Sequence, residues 1–223
     1  AIENAKAEEE RIAIENAKEE ELNMISDKNL NLKIYKNSRN MGVGYNFSKI
    51  LYLAQNDIII HQTMDWAYNI DSFIPYIKFV EQNKCDVLHG YRKDLFKNRS
   101  DNFFRNFVSS INQTLIRILY GNFSRDFQNV YVLKKKCLNG IKLKSDSSFI
   151  NPELLINLIE KKYKIYEIEV NFIKRKFGKA KGAKLISIFK SIKDILFFWF
   201  ERGLEFRFRK KKGLESLSES KNL

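Results

Sequence analysis

From residue 30 onward, short apolar runs alternate with longer amphipathic segments, and this rhythm constrains the fold more than any other feature of the chain. Runs of four to seven residues rich in Ile, Val and Tyr have the length and chemistry of strands. Intervening segments with apolar residues three and four apart are helical, so the alternation predicts an α/β domain. The strand candidates are LKIY (32–35), DIIIHQ (57–62), DVLHG (86–90), QNVYVLK (128–134) and KIYEIEV (164–170). Residues 103–119 set Phe103, Phe104, Phe107, Val108, Ile111, Leu115, Ile118 and Leu119 on one helical face, which predicts a helix lying over a sheet. A chain of 223 residues that is 44% hydrophobic can bury one substantial core, so one domain with tails is expected. Cys85 and Cys137 are too few for a disulfide framework and lack zinc-ligand spacing; both are expected to be buried, inert thiols in a reducing compartment. His61 and His89 each end an apolar run without metal-ligand neighbours at the usual spacing, and both are read as structural.

The ends of the chain have a different character. Residues 1–22 repeat AIENAK at 1–6 and 13–18 and carry eight acids against three bases. Rich in Ala, Glu and Lys and free of Gly and Pro, this stretch predicts a solvated helix, and 1–28 is taken as a charged helical segment. The domain proper is expected over 29–181. Within 182–212, an apolar helical face, including six consecutive apolar residues from Ile195 to Phe200, is followed by a basic cluster. That pattern predicts an amphipathic helix lying on a membrane surface, the alternative being a helix packed on the domain's own sheet. The tail 213–223 is expected to be disordered. The net charge of +13 is concentrated here: residues 174–212 hold fourteen Lys/Arg and three acids, so this region should face an anionic partner. No recognisable groove-reading module accompanies the bases, so lipid headgroups or a substrate phosphate are expected rather than nucleic acid. No stretch reaches the ~18 apolar residues of a membrane span and no signal-peptide pattern opens the chain, which leads to the expectation of a cytoplasmic protein, peripheral at the membrane.

Four segments in series suggest chemistry. NSRNMGVGYNFSKILYLAQND (37–57) contains Asn40, Gly42 and Gly44, a turn at which backbone can approach a ligand and a helix can begin with its amides toward it. IIIHQTMDWAYNIDSFIP (58–75) ends a strand and places Thr63 and Asp65 just beyond it. DVLHGYRKDLFKNRSDNFFRNFVSSINQTLIRILYG (86–121) and RDFQNVYVLKK (125–135) supply Gly90, Arg92 and Asp126. The fourth, SSFINPELLINLIEKKYKIYEIEV with NFIKRKFGKAKGAK (147–184), supplies Glu153, Arg175, Gly178 and Lys181.

Taken in this order, over about residues 30–200, the four segments resemble glycosyltransferase family 2, in particular its polyprenyl-phosphate sugar synthase branch, which includes dolichyl-phosphate mannose synthase. The resemblance implies a GT-A-like (Rossmann-like) mixed sheet flanked by helices, here with an amphipathic C-terminal helix. It implies donor-nucleotide contacts at Asn40, Gly42 and Gly44. Asp65 matches the second carboxylate of the family's Asp-x-Asp motif, which binds Mg²⁺ or Mn²⁺ bridging the donor diphosphate; Thr63 stands where the first carboxylate would be, so a divalent cation would be held by fewer charges. Asp126 matches the acidic residue near the acceptor, with Asp126 and Asp65 as catalytic candidates, and Arg92 and Glu153 match acceptor-side positions. Arg175 and Lys181 match the family's Arg-x-x-Gly-x-Ser-Lys cations, which neutralise the departing diphosphate; Ala180 replaces the Ser, and Val130 stands where relatives often have Gly.

The family's first strand and its Asp-Asp-Gly-Ser strand end are not found in the sequence, so an N-terminally truncated sheet is expected, lacking ~30 residues or more of a strand-helix-strand unit. Its apolar edge is expected to be covered by an oligomer or a partner chain. The activity implied is transfer of a sugar from a nucleoside-diphosphate donor to a polyprenyl-phosphate or saccharide acceptor with inversion. The alternative is a catalytically impaired peripheral membrane module that retains the framework.

Overall fold

The computed structural model describes residues 33–61, 73–92, 103–127, 131–170, 185–202 and 215–216. The chain divides into two compact units, 1–40 and 41–223. In the first, the described residues 33–40 form neither strand nor helix, and Ile34 and Tyr35 are exposed. The strand expected over 32–35 is therefore not formed at 33–35. An apolar run becomes a strand only when a neighbour takes up its amides and carbonyls.

In the second unit, helices and strands alternate as the sequence rhythm requires. Helix α1 (Val43–Leu53) leads to β1 (Ile58–Ile60), α2 (Ile74–Glu81) to β2 (Val87–Tyr91), and α3 (Phe103–Tyr120) to β3 (Tyr131–Lys134). A short 3₁₀ turn (Lys135–Leu138) follows, then α4 (Ile150–Glu160), β4 (Ile165–Glu169), α5 (Leu185–Arg202) and β5 (Glu215–Ser216). The mixed sheet has the order β1-β3-β2-β4-β5. β3 is antiparallel to both neighbours, and β2, β4 and β5 are parallel to one another. β1, β2 and β4 consequently end on the same edge at which β3 begins. The α/β class and four of the five expected strands agree with the sequence.

Alternation along the strands divides the core between two faces. Ile59, Val87, Leu133 and Ile165 point to one face, where they meet Phe47 and Leu51 of α1, Ile116 and Tyr120 of α3, Leu154 and Leu158 of α4, and Ile195 and Phe198 of α5. Leu88, Val132 and Ile168 point to the other, against Phe79 and Val80 of α2 and the thiol of Cys85. Both cysteines are buried and free, and burial pushes each thiol up to about 11, so they behave as inert apolar groups.

One helix differs from its sequence reading. On α3 the expected apolar face is rotated: Ile111 is exposed and Ile118 is 72% exposed, while Ile116 and Tyr120 are buried. The cause is α5, which packs along α3. Tyr120 donates its hydroxyl to the Ile195 carbonyl (2.6 Å), and Asn112 reaches the Ser191 hydroxyl (3.4 Å). α5 is fixed to the domain by Ile195 and Phe198, each burial contributing about 1.5–3 kcal/mol, and Phe198 packs against Tyr120 and Phe149.

Helix α1 seats directly against the segment 141–146. Gly42 at its start has φ 88°, and the Gly44 amide donates to the Asp146 carbonyl (3.1 Å). A Cβ on Gly44 would lie 2.1 Å from the Ser145 carbonyl oxygen, and the obstructing atoms are backbone. Gly44→Ala is therefore expected to destabilise the domain by about 1–3 kcal/mol. In a thermal melt that corresponds to a fall of roughly 2–10 °C; an unchanged melting temperature would refute the close approach.

Candidate active site

The candidate site lies at the edge where β1, β2 and β4 end and β3 begins. Two main-chain bonds tie this edge together: the His61 amide donates to the Tyr131 carbonyl (3.3 Å), and the Val170 amide to the Tyr91 carbonyl (2.9 Å). Immediately beyond β2, Arg92 donates through Nε to Oδ2 of Asp126 at 2.7 Å. Asp126 is fully buried and the Arg92 side chain nearly so. Two of the sequence-predicted residues, 34 positions apart, are thus joined in a desolvated ion pair.

Asp126 belongs to the segment between α3 and β3, and three strand side chains hold that segment. His89 of β2 is within 2.6 Å of the Asp126 carbonyl through Nε2. A carbonyl can only accept, so Nε2 carries the proton, while Nδ1 has no partner among the described residues. Glu167 lies opposite His89 in the β2–β4 register. Its Oε1 accepts from the Ser124 hydroxyl (2.6 Å) and the Arg125 amide (2.9 Å). Arg125 in turn donates to the Tyr91 hydroxyl (2.7 Å) and lies over the Tyr91 ring. Reading His89 as structural agrees with this geometry.

Glu167 carries a signal in the sequence as well. In KIYEIEV it shares the parity of the inward-facing Ile165, and a carboxylate at an inward strand position requires buried donors. Here they are the Ser124 hydroxyl and the Arg125 amide.

The remaining candidates are distributed as follows. Glu153, in the first turn of α4, is buried, and its two oxygens accept from the Lys144 amide (2.8 Å) and the Ser145 amide (2.9 Å). Burial raises its carboxyl above the ordinary value, against the lowering effect of these bonds. Glu153 thereby closes the turn on which Gly44 rests. The α1 start formed by Gly42 and Gly44 meets Asp146 main chain, so the backbone approach expected for a ligand is made here to the protein itself. Asn40 is exposed in the first unit. Thr63, Asp65, Arg175 and Lys181 lie outside the described residues, as do Val130, Gly178 and Ala180.

Among the described residues no group of three or more His, Cys, Asp or Glu side chains could hold a metal ion. Asp65, the residue expected to hold a divalent ion, lies outside them. No protein-family model and no curated protein matches the chain.

Two measurements test the site as a physical unit. Asp126→Ala would leave a buried guanidinium without its carboxylate and should cost about 3–5 kcal/mol in urea unfolding. Asp126→Asn keeps an acceptor for Arg92 and removes only the negative charge, so a loss close to that of alanine assigns the effect to the ion pair and a clearly smaller one to the hydrogen bond; undiminished stability in both variants would contradict the pair.

The histidines make a pH prediction. Burial lowers both His61 and His89 below the ordinary imidazole value of 6.5, outweighing for His89 the raising effects of the Asp126 carbonyl, Glu167 and Asp126. The unfolded chain therefore takes up protons first as the pH falls. Stability present above about pH 6.5 is lost as pH drops through the folded values. Glu153 has the opposite sign, its raised carboxyl favouring the folded state toward acid, so the comparison must isolate His89. In urea titrations from about pH 7.5 downward, His89→Gln, which retains an N–H donor, should lose less stability than wild type. Parallel curves would contradict a buried neutral imidazole.

Proposed function

We infer that the protein transfers a sugar from a nucleoside-diphosphate donor to a lipid-linked or saccharide acceptor, resembling glycosyltransferase family 2. The observation that supports this reading best is the Arg92–Asp126 pair, largely desolvated at the edge where the parallel strands of the mixed sheet end. Open α/β sheets bind ligands at such an edge. The same edge is where the chain leaves β1 at His61, four residues before Asp65, and leaves β4 toward Arg175 and Lys181. The GT-A-like character of the fold belongs to this inference, and the mixed sheet with helices on both faces is compatible with it.

In the proposed reaction an acceptor oxygen attacks the anomeric carbon as the bond from that carbon to the diphosphate oxygen breaks, in one in-line step with inversion. The diphosphate leaves with the bonding electron pair, and Arg175 and Lys181 offset its charge. Asp126 orients the acceptor, or takes the proton when the nucleophile is a hydroxyl. A phosphate nucleophile is already ionised and has no proton to give up. Arg92 and His89 fix the side chain and the carbonyl of Asp126, so the carboxylate's position is set before substrate arrives.

The test is transfer of radiolabelled sugar to polyprenyl phosphate in liposomes, with nucleotide-sugar binding followed by calorimetry. Asp65→Ala and Asp126→Asn should each lower transfer by at least about a hundredfold. Undiminished transfer in both would refute the site. Absence of nucleotide-sugar binding by the wild-type chain would favour the second reading, a non-catalytic module on the same framework, for which Thr63 in place of a carboxylate speaks.

A further inference from the structure

Helix α5 has two apolar faces, and only one of them is used by the domain. Ser191, Ile195 and Phe198 point inward onto α3 and Phe149. Ile186, Phe189, Leu196, Phe197 and Phe200 are exposed; Phe189 is 69% exposed and Phe200 71%. At about 100° per residue these five fall within roughly a 100° sector of the helix, a stripe about 20 Å long at 1.5 Å per residue. Lys190 and Lys193 lie within the same stripe and are exposed. The two acids of the helix are engaged elsewhere: Asp194 accepts the Ser147 amide (3.0 Å), and Glu201 pairs with Lys144. What the helix presents outward is therefore apolar and positive.

That combination selects among possible occupants. A second copy docking through this stripe in a two-fold dimer would set it against itself, lysine near lysine, with no acid in the stripe to compensate. A bilayer with anionic headgroups meets both requirements: acyl chains receive the Phe, Leu and Ile side chains, while the lysines extend to the headgroups. No helix among the described residues is long and apolar enough to cross a membrane, so the contact is one of lying on the surface. By sequence, residues 174–212 carry fourteen bases and three acids, so the stretches that flank the helix along the chain have the same sign of charge.

We propose that the outward stripe of α5, with Phe189, Phe197 and Phe200 as its apolar anchors and Lys190 and Lys193 as its cationic contacts, docks the protein flat on an anionic lipid bilayer. Docking of this kind goes beyond sugar transfer and requires neither a donor nor an acceptor. It also assigns separate tasks to the two sides of the helix. Ile195 and Phe198 hold α5 on the domain, and the opposite side holds the domain on the lipid.

Co-sedimentation of the full chain with vesicles tests this, using phosphatidylcholine alone and phosphatidylcholine mixed with phosphatidylglycerol. Wild type should partition onto the anionic vesicles. The double variant Phe189→Asp/Phe197→Asp should lose at least about tenfold in partitioning. The double variant Lys190→Glu/Lys193→Glu should lose the preference for phosphatidylglycerol. Ile50→Asp, at an exposed apolar position on α1, should bind as wild type does. All substituted positions are exposed, and thermal melts verify that each variant folds. The proposal is overturned if the phenylalanine variant binds like wild type, if Ile50→Asp loses as much, or if wild type binds neither vesicle. It is equally overturned if wild type is a dimer that the phenylalanine variant dissociates. Calorimetry with nucleotide sugar on the same proteins keeps the two proposals apart, since lost vesicle binding leaves donor binding intact and the reverse also holds.

Discussion

Asp126 sits where the second unit's connectivity is decided, and its attachment to β2 is the constraint on which the rest of this edge depends. The chain arriving from α3 must reverse into β3, which runs antiparallel between β1 and β2. Side chains at the end of β2 and in β4 fix that reversal: Arg92 on the carboxylate, His89 on the carbonyl, Glu167 on the two preceding residues. Each is a buried polar group, and each would be costly if unpaired. Charged groups taken out of water stay favourable only when their bonds are met. The cluster therefore fixes a geometry more than it adds stability.

The opposite end of the same core depends on close approach of backbone to backbone. Gly44 allows α1 to touch residues 145–146, Tyr52 donates to the Ile141 carbonyl (2.8 Å), and Glu153 binds the amides at 144 and 145 from beneath. The glycines of a turn expected to approach a ligand thus serve as spacers between two pieces of the protein. α5 completes this side, joining α3 through Tyr120 and the 147 turn through Asp194, and it leaves a second apolar face outward. A helix with hydrophobic residues all round, only half of them covered by its own domain, has a further surface to satisfy.

The sequence alone determined the class of the domain and the places of four strands, because hydrophobic period is a local property: DIIIHQ, DVLHG, QNVYVLK and KIYEIEV can hardly be buried in any other form. It also named Arg92 and Asp126 as candidates, through a serial resemblance of motifs, and placed both cysteines in the interior. Only the tertiary structure decided that Arg92 and Asp126 meet, that Glu167 is the anchor of the loop between them, that Gly44 faces Asp146, and which sides of α3 and α5 turn inward. Those outcomes depend on partners far along the chain. An apolar residue such as Ile118 is buried or exposed according to where another helix lies, and a carboxylate such as Glu167 is structural or free according to which amides come within reach. The run LKIY shows the same limit from the other side, since strand-like chemistry does not make a strand at 33–35. Pattern fixes what each segment can become, and long-range packing fixes which surface of it is used.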